Sequence, residues 1–343
     1  MNYFTHLLEG SFEALHFLSD KKTGLRALVG VHSTKLGPAL GGTRALATYA
    51  SEEDAVIDVL RLARGMTYKA ALAGLPHGGG KAVIMLPKGS FDRAALFEAF
   101  GRGVESLGGR YITTEDSGTS PDDMEFVKRR TDSVVGLRGK SDDPSPVTAY
   151  GVVRGMEATA KHVFGTADLK GMRVTVLGVG HVGMPLVKEL HQRGAKIFVS
   201  DINAAAAEHA VKTYGATALS AEQLLRQEAD IFAPCALGGA INDSTLPLLR
   251  VKAVAGAANN QLLEPRHGQL LAERGIVYAP DYAINAGGLI NVAQEVVGYD
   301  RDKAYARAEK IYDTIEMVLT RAKSSGQRPE QVADRIVEER LAA

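Results

Sequence analysis

The sequence predicts an α/β protein in which an N-terminal α/β domain is followed by a doubly wound parallel sheet and a helical tail. Three observations carry that prediction. The second half alternates short apolar runs with helix-like segments, a glycine-spaced turn falls between the first such strand and its helix, and 343 residues exceed what one hydrophobic core usually organises.

In the first half, Leu25–His32 is an apolar run with partial alternation and reads as a strand, followed by a Gly/Pro-rich stretch from Gly37 to Gly42. Ser51-Glu-Glu-Asp54 has the chemistry of a helix start, with a capping hydroxyl and acidic residues that favour the dipole, and it leads a helix towards Gly65. A strand over Ala82–Leu86 follows the glycine run Gly78–Gly80. Helical spacing covers Phe91–Leu107, Tyr111–Thr114 is a short strand, and Ser120-Pro-Asp-Asp123 opens another helix.

Between Val135 and Pro146 the pattern dissolves into Gly, Lys, Ser, Asp and Pro, which marks the domain junction. A helix follows from Thr148 to about Phe164. Strands then recur at Arg173–Leu177, Lys196–Ser200, Ile231–Ala233, Ala253–Ala255 and Ile276–Tyr278, with helical stretches between them. Right-handed crossovers and a parallel sheet are the expected outcome. Beyond Asn285 the chain is helical to its end.

Composition excludes several classes of partner. Acidic and basic residues balance to zero net charge, so no global field holds a polyanion or an anionic membrane surface, and neither nucleic acid nor membrane is expected. The single cysteine, Cys235, makes no intrachain disulfide and has no zinc-spaced companion. Met1–Gly10 lacks a basic start followed by an apolar run, so a cytoplasmic, unexported protein without metal is the expectation.

Gly178-Val-Gly-His-Val-Gly183 comes directly after the strand ending at Leu177 and opens the next helix. A glycine motif alone also suits ordinary tight turns. In this order of strand, glycines and helix it cradles a pyrophosphate: Gly178 permits the turn, Gly180 lets the backbone approach, and Gly183 allows close helix packing. Asp201 ends the following strand at the spacing of about 20 residues expected of the group that bonds the ribose hydroxyls. Its carboxylate repels a 2′-phosphate, and Ile202-Asn203 supplies no cation, which favours NAD over NADP. The plainer alternative is that Asp201 merely caps the next helix.

Gly74-Leu-Pro-His-Gly-Gly-Gly-Lys81 invites a phosphate-loop reading and fails it. Leu75 stands where the first glycine should, and Ala82 follows the lysine where magnesium needs a hydroxyl. Lys69 and Lys81 lie in apolar, glycine-containing surroundings, and Asp116 follows a short strand. Each alone reads as a solvated charge, a reading that the apolar surroundings of the two lysines weaken without reversing; the residues themselves point no further than a cationic cleft opposite a dinucleotide fold.

The chain resembles the leucine, valine and phenylalanine dehydrogenase branch of the Glu/Leu/Phe/Val amino-acid dehydrogenase family, nearest the leucine enzymes. The matching segments are Leu36–Arg44, Arg64–Lys69, Gly78–Lys81, Pro144–Gly151, Ala233–Gly238, Gly256–Leu262 and Pro280–Gly288. The resemblance implies a substrate-binding and oligomerisation domain over 1–140, a Rossmann-type NAD-binding domain over 141–285, and a helical segment over 286–343 bridging the two. It implies NAD-dependent oxidative deamination of a branched-chain aliphatic L-amino acid to its 2-oxo acid and ammonia, reversibly, in a homo-oligomer, dimer or octamer, whose domains close over the substrate.

Carried over residue by residue, Lys69 binds the substrate α-carboxylate with the Gly41-Gly42 turn and Asn260. Lys81 is the general base and later acid, and Asp116 shuttles protons to and from the amino group. Leu40, Met66, Thr114, Val147, Leu289 and Val292 complete the substrate set. The cofactor set is Thr148, Gly178, Val179, Gly180, His181, Val182, Gly183, Asp201, Ile202, Cys235, Ala236, Ala257 and Asn259, with Thr148 and Asn259 at the nicotinamide end.

Two positions depart from the commonest pattern of the leucine enzymes. His181 stands where asparagine is expected, with its side chain predicted to point outward, and Thr114 replaces a smaller residue, which leaves side-chain preference open. The alternatives are the same chemistry on aromatic or acidic amino acids and a non-catalytic dinucleotide sensor. The sensor would have dispensed with Lys69, Lys81 or Asp116, and a glutamate enzyme needs a cation where this chain has Leu40.

Overall fold

The computed structural model describes residues 2–343 and separates into two compact units. One runs to Asp142 and takes in Val292–Arg301 and Arg340–Ala343; the other comprises Asp143–Asn291 and Asp302–Glu339.

The first unit opens with a short helix α1 (Tyr3–Glu9) and the strands β1 (Ala14–Asp20), β2 (Leu25–Ser33) and β3 (Ala39–Leu46). Helix α2 (Glu52–Leu72), β4 (Gly78–Met85), α3 (Arg93–Glu105), β5 (Tyr111–Glu115) and α4 (Pro121–Lys128) follow. The five strands form one sheet in the order β1-β2-β4-β3-β5, antiparallel from β1 to β4 and parallel from β4 to β5. Ser51 caps α2 by accepting from the Asp54 N–H, and Ser120 forms a capping box with Asp123 at α4. One apolar layer, with Val29, Ile84, Phe97, Phe100 and Met124 at its centre, packs α3 and α4 on one face of the sheet. A second, with Leu28, Val56, Val59 and Val83, packs α2 on the other.

Three expectations for this unit are corrected. The stretch through Gly41 and Gly42 is strand β3, because its backbone pairs with both β4 and β5. Gly78–Gly80 likewise lies inside β4. The helix expected to end near Gly65 continues to Leu72, since tertiary packing overrides the helix-interior penalty of a single glycine. Strand β1 escaped the sequence reading because its residues are only partly buried.

The second unit begins with α5 (Ser145–Phe164) and continues through β6 (Arg173–Leu177), α6 (Gly183–Gln192), β7 (Lys196–Ser200), α7 (Ala204–Tyr214), β8 (Thr217–Ala218), α8 (Ala221–Arg226) and β9 (Ile231–Pro234). It ends its sheet with β10 (Ala253–Val254) and, after α9 (Arg266–Glu273), β11 (Val277–Tyr278), which the short helix α10 (Asp281–Ile284) follows. All neighbours are parallel, in the order β11-β10-β9-β6-β7-β8. The winding therefore reverses between β6 and β9, where ligands bind at the carboxyl ends of such sheets. The chain after Asn285 is helical as expected, in α11 (Gly287–Ala293), α12 (Arg301–Glu309), α13 (Ile311–Ser325) and α14 (Pro329–Ala342) with a 3-10 turn at Gln294–Val297. Among the described residues no helix is long and apolar enough to cross a membrane.

Candidate active site

In the first unit the glycines of β3 and β4 exist to bring elements together. A methyl group on Gly79 would lie 1.9 Å from the Thr67 backbone nitrogen, so α2 rests directly on β4 at that point. On Gly41 it would lie 1.8 Å from the Gly80 carbonyl oxygen and 3.2 Å from the Met66 side chain. The Tyr111 hydroxyl donates to the Gly41 carbonyl at 2.6 Å, and Thr67 and His32 share a buried hydrogen bond of 2.8 Å. Burial, aided by the Arg64 charge, lowers the His32 pKa to about 4, which keeps that imidazole neutral.

This packing holds the last turn of α2, with half-buried Lys69, against the strand that carries Lys81. Lys81 Nζ lies 3.1 Å from Asp116 Oδ2, its side chain only 7% exposed. Arg44 Nε reaches the same oxygen at 3.2 Å. Burial alone would favour the neutral carboxyl of Asp116, but Lys81 and Arg44 outweigh it and hold the group below the usual carboxylate range. A pair of this kind can hold a proton and pass it on.

Leu40, Thr114 and Val292 are buried in the same unit. Leu40 is paired in register with Gly79 and Ile112, and Thr114 with Gly42. The Thr114 hydroxyl is buried without a hydrogen-bond partner.

In the second unit, the turn after β6 is built as expected. Gly178 takes a φ of 97°, and a methyl on Gly183 would fall 2.0 Å from the Gly178 carbonyl oxygen, so α6 abuts the turn. Gly180 has open space where its side chain would be, and His181 is exposed as predicted. Val182 precedes the first residue of α6. Asp201 Oδ2 accepts from the Val179 N–H at 2.7 Å, while its other oxygen accepts from Asn203 N–H, also at 2.7 Å. The helix cap belongs to Asn203, whose side chain accepts from Ala205 and Ala206, so the plainer reading of Asp201 fails. Ile202 beside it is fully exposed.

Cys235 and Ala236 follow β9 and flank the turn, since a methyl on Gly178 would meet Ala236 at 2.7 Å and one on Gly183 would meet Cys235 at 3.4 Å. Burial pushes the Cys235 thiol up to about 12, leaving it protonated and inert. Ala257 and Asn259 follow β10, and Asn260 adopts a left-handed φ of 51°, a strained conformation of the kind held at binding sites. Asn285 donates to the carbonyl of Ala257 and to Asn259 Oδ1, at 3.0 and 2.8 Å. Val147 and Thr148 lie in the first turn of α5, where Gly287 and Gly288 permit close approach, and Leu289 is buried on α11.

Sequence reasoning did not nominate Arg44, which reaches Asp116, or Asn285, which donates to the segment carrying Ala257 and Asn259. Arg44 gave one signal, a lone cation in a strand otherwise made of apolar, glycine and threonine residues.

A family model described as the dimerisation domain of Glu/Leu/Phe/Val dehydrogenases matches residues 14–133. A second, described as glutamate/leucine/phenylalanine/valine dehydrogenase, matches residues 199–336. Leucine dehydrogenase of Bacillus cereus is 51% identical, with 100% of this chain and 94% of that protein covered. Valine dehydrogenase of Streptomyces virginiae is 47% identical, with 98% and 95% covered. Among solved structures, L-tryptophan dehydrogenase from Nostoc punctiforme superposes with a TM-score of 0.90 at 43% identity, covering 99% of this chain and 98% of that one.

Proposed function

This chain belongs to the Glu/Leu/Phe/Val dehydrogenase family, and on that premise we propose that it oxidatively deaminates branched-chain aliphatic L-amino acids with NAD. It is an oxidoreductase of the amino-acid dehydrogenase class. The observation that carries the mechanism is the 3.1 Å pair of buried Lys81 and half-buried Asp116.

Lys69, with the Gly41-Gly42 backbone of the same unit, binds the substrate carboxylate. Asp116 takes a proton from the substrate ammonium, since only a neutral amine can release hydride from Cα. A bound nicotinamide dinucleotide supplies the hydride acceptor. Water then adds to the iminium carbon as Lys81, acting in its unprotonated form, takes the water proton; that proton returns to the carbinolamine nitrogen, and the hydroxyl proton departs with the leaving ammonia as ammonium while the 2-oxo acid forms. The net change consumes one water and releases ammonium and one proton.

The residues of the second unit fit a dinucleotide. Gly180 leaves room for a pyrophosphate, and exposed apolar Ile202 offers a surface that an adenine could cover. Asp201, fixed against the turn by the Val179 N–H, supports NAD over NADP, because no cation follows it to meet a 2′-phosphate. Replacing Asp201 with serine and Asn203 with arginine is expected to relax that preference in NAD- and NADP-dependent kinetics. Equal native efficiency with both cofactors would contradict the role of Asp201.

Leu40, Val147, Leu289 and Val292 are the aliphatic members of the proposed side-chain set, which has no charge to pair with glutamate or lysine. Thr114 adds bulk and a buried hydroxyl without a partner, which disfavours a ring. Thr114→Gly is therefore expected to raise activity on phenylalanine relative to valine. A pocket difference of one or two methylenes is worth only ~1–3 kcal/mol, so leucine, isoleucine, valine and 2-aminobutyrate should all react. An unchanged phenylalanine-to-valine ratio in Thr114→Gly would remove that residue from the pocket.

A homo-oligomer, dimer or octamer, is part of this reading. The first unit matches a model described as a dimerisation domain, and β1 ends its sheet with Phe17 59% exposed. A cytoplasmic setting is likewise proposed, from the single reduced thiol.

A further inference from the structure

Asp116 Oδ2 is approached by two cations, Lys81 at 3.1 Å and Arg44 at 3.2 Å, from neighbouring strands β4 and β3. Arg44 is itself held from behind. Its second contact is Asp58 Oδ2 on α2 at 2.9 Å, an oxygen that also accepts from the Tyr49 hydroxyl at 2.7 Å. Arg61 reaches the other oxygen of Asp58 at 3.1 Å. The Asp116 backbone is fixed as well, its N–H donating to Thr119 Oγ1 at 2.8 Å. Gly42 is what lets Asp116 come this close to β3, since a methyl there would lie 2.8 Å from Asp116 Cβ. A guanidinium needed only to tie β3 to α2 would be satisfied by Asp58 alone.

We propose that Arg44, braced by Asp58 and Tyr49, is a positioning residue that fixes the Asp116 carboxylate against Lys81 for proton transfer. The inference rests on the reading that Asp116 takes the substrate's proton. The charged and titratable groups around Asp116 are Lys81 on β4, Arg44 on β3, Tyr111 on β5 and, behind Arg44, Asp58, Arg61 and Tyr49. Asp116 stays ionised despite burial because of the first two, Lys81 ahead of Arg44. With Arg44 neutralised, burial recovers part of its influence and the carboxyl gains its proton at higher pH. Oxidative deamination needs the ionised form, so the acidic limb of the kcat profile that Asp116 sets must move up.

The test compares native enzyme with Arg44→Gln, Arg44→Lys and Asp116→Asn in kcat and KM across pH, with NADH affinity by fluorescence titration and melting temperature alongside. Arg44→Gln is expected to move the acidic limb up by about one pH unit, the lower end of the effect of one adjacent charge, and so to cut kcat ~10-fold below the limb. KM for the amino acid and NADH affinity should stay within ~2-fold of native. Arg44→Lys should restore the limb. If Arg44→Gln fails to fold because Asp58 is stranded, the double variant Arg44→Gln with Asp58→Asn removes that charge and should show the same displaced limb. A native limb in whichever of these folds, even with a lowered melting temperature, would make Arg44 a structural bridge and overturn the proposal. Native turnover in Asp116→Asn would instead bring down the proton-transfer reading, and the role of Arg44 with it.

Discussion

Replacing Lys81 with alanine is expected to lower turnover in oxidative deamination by at least ~10²-fold while NADH still binds. The lysine is buried in β4 with its Nζ on Asp116, so its removal takes away the group proposed to activate water and leaves Arg44 as the remaining cation on the carboxylate. The dinucleotide turn lies in the other unit and makes no use of Lys81. Single-turnover hydride transfer and NADH fluorescence separate the two effects. Turnover near native in a folded Lys81→Ala enzyme would remove this residue from the chemistry.

Gly79→Ala is expected to be the most disruptive small substitution in the first unit. The added methyl falls 1.9 Å from the Thr67 backbone nitrogen and 2.3 Å from its hydroxyl, and Thr67 is fully buried and bonded to His32. Relief requires α2 to move off the sheet, which costs roughly 3 kcal/mol or more for overpacking. At the usual conversion for domains of this size, that lowers the melting temperature by roughly 6–12 °C. Because the last turn of α2 carries Lys69, KM for the amino acid should rise as well. Gly65→Ala on the same helix is the control. Its methyl meets nothing within 4 Å, so better helix propensity should leave stability unchanged or raise it. Equal melting temperatures for native enzyme and Gly79→Ala would refute the packing account.

What the sequence made legible follows from periodicity. The second unit alternates buried parallel strands with helices, so its strands at 173–177, 196–200 and 231–234 stood out, and the glycine turn could be placed between β6 and α6. The first unit hid more. Glycine is read as a turn residue when only local propensity is available, yet Gly41, Gly42 and Gly78–Gly80 lie in paired strands because their neighbours leave no room for a side chain. The nominated catalytic residues Lys81 and Asp116 do meet, 35 positions apart in sequence, whereas Arg44, marked only as a lone cation in its strand, could not be matched to them. Its role depends on strand order: β3 lies between β4 and β5, an arrangement that local patterning does not encode.

The central claim is tested most directly by following NADH formation from NAD with a panel of L-amino acids at alkaline pH. Leucine, isoleucine, valine and 2-aminobutyrate should each be oxidised with higher kcat/KM than phenylalanine or tryptophan, and glutamate and lysine should give no reaction. Tryptophan or phenylalanine as the best substrate, or efficient oxidation of glutamate, would contradict the assignment of this chain to branched-chain aliphatic amino acids.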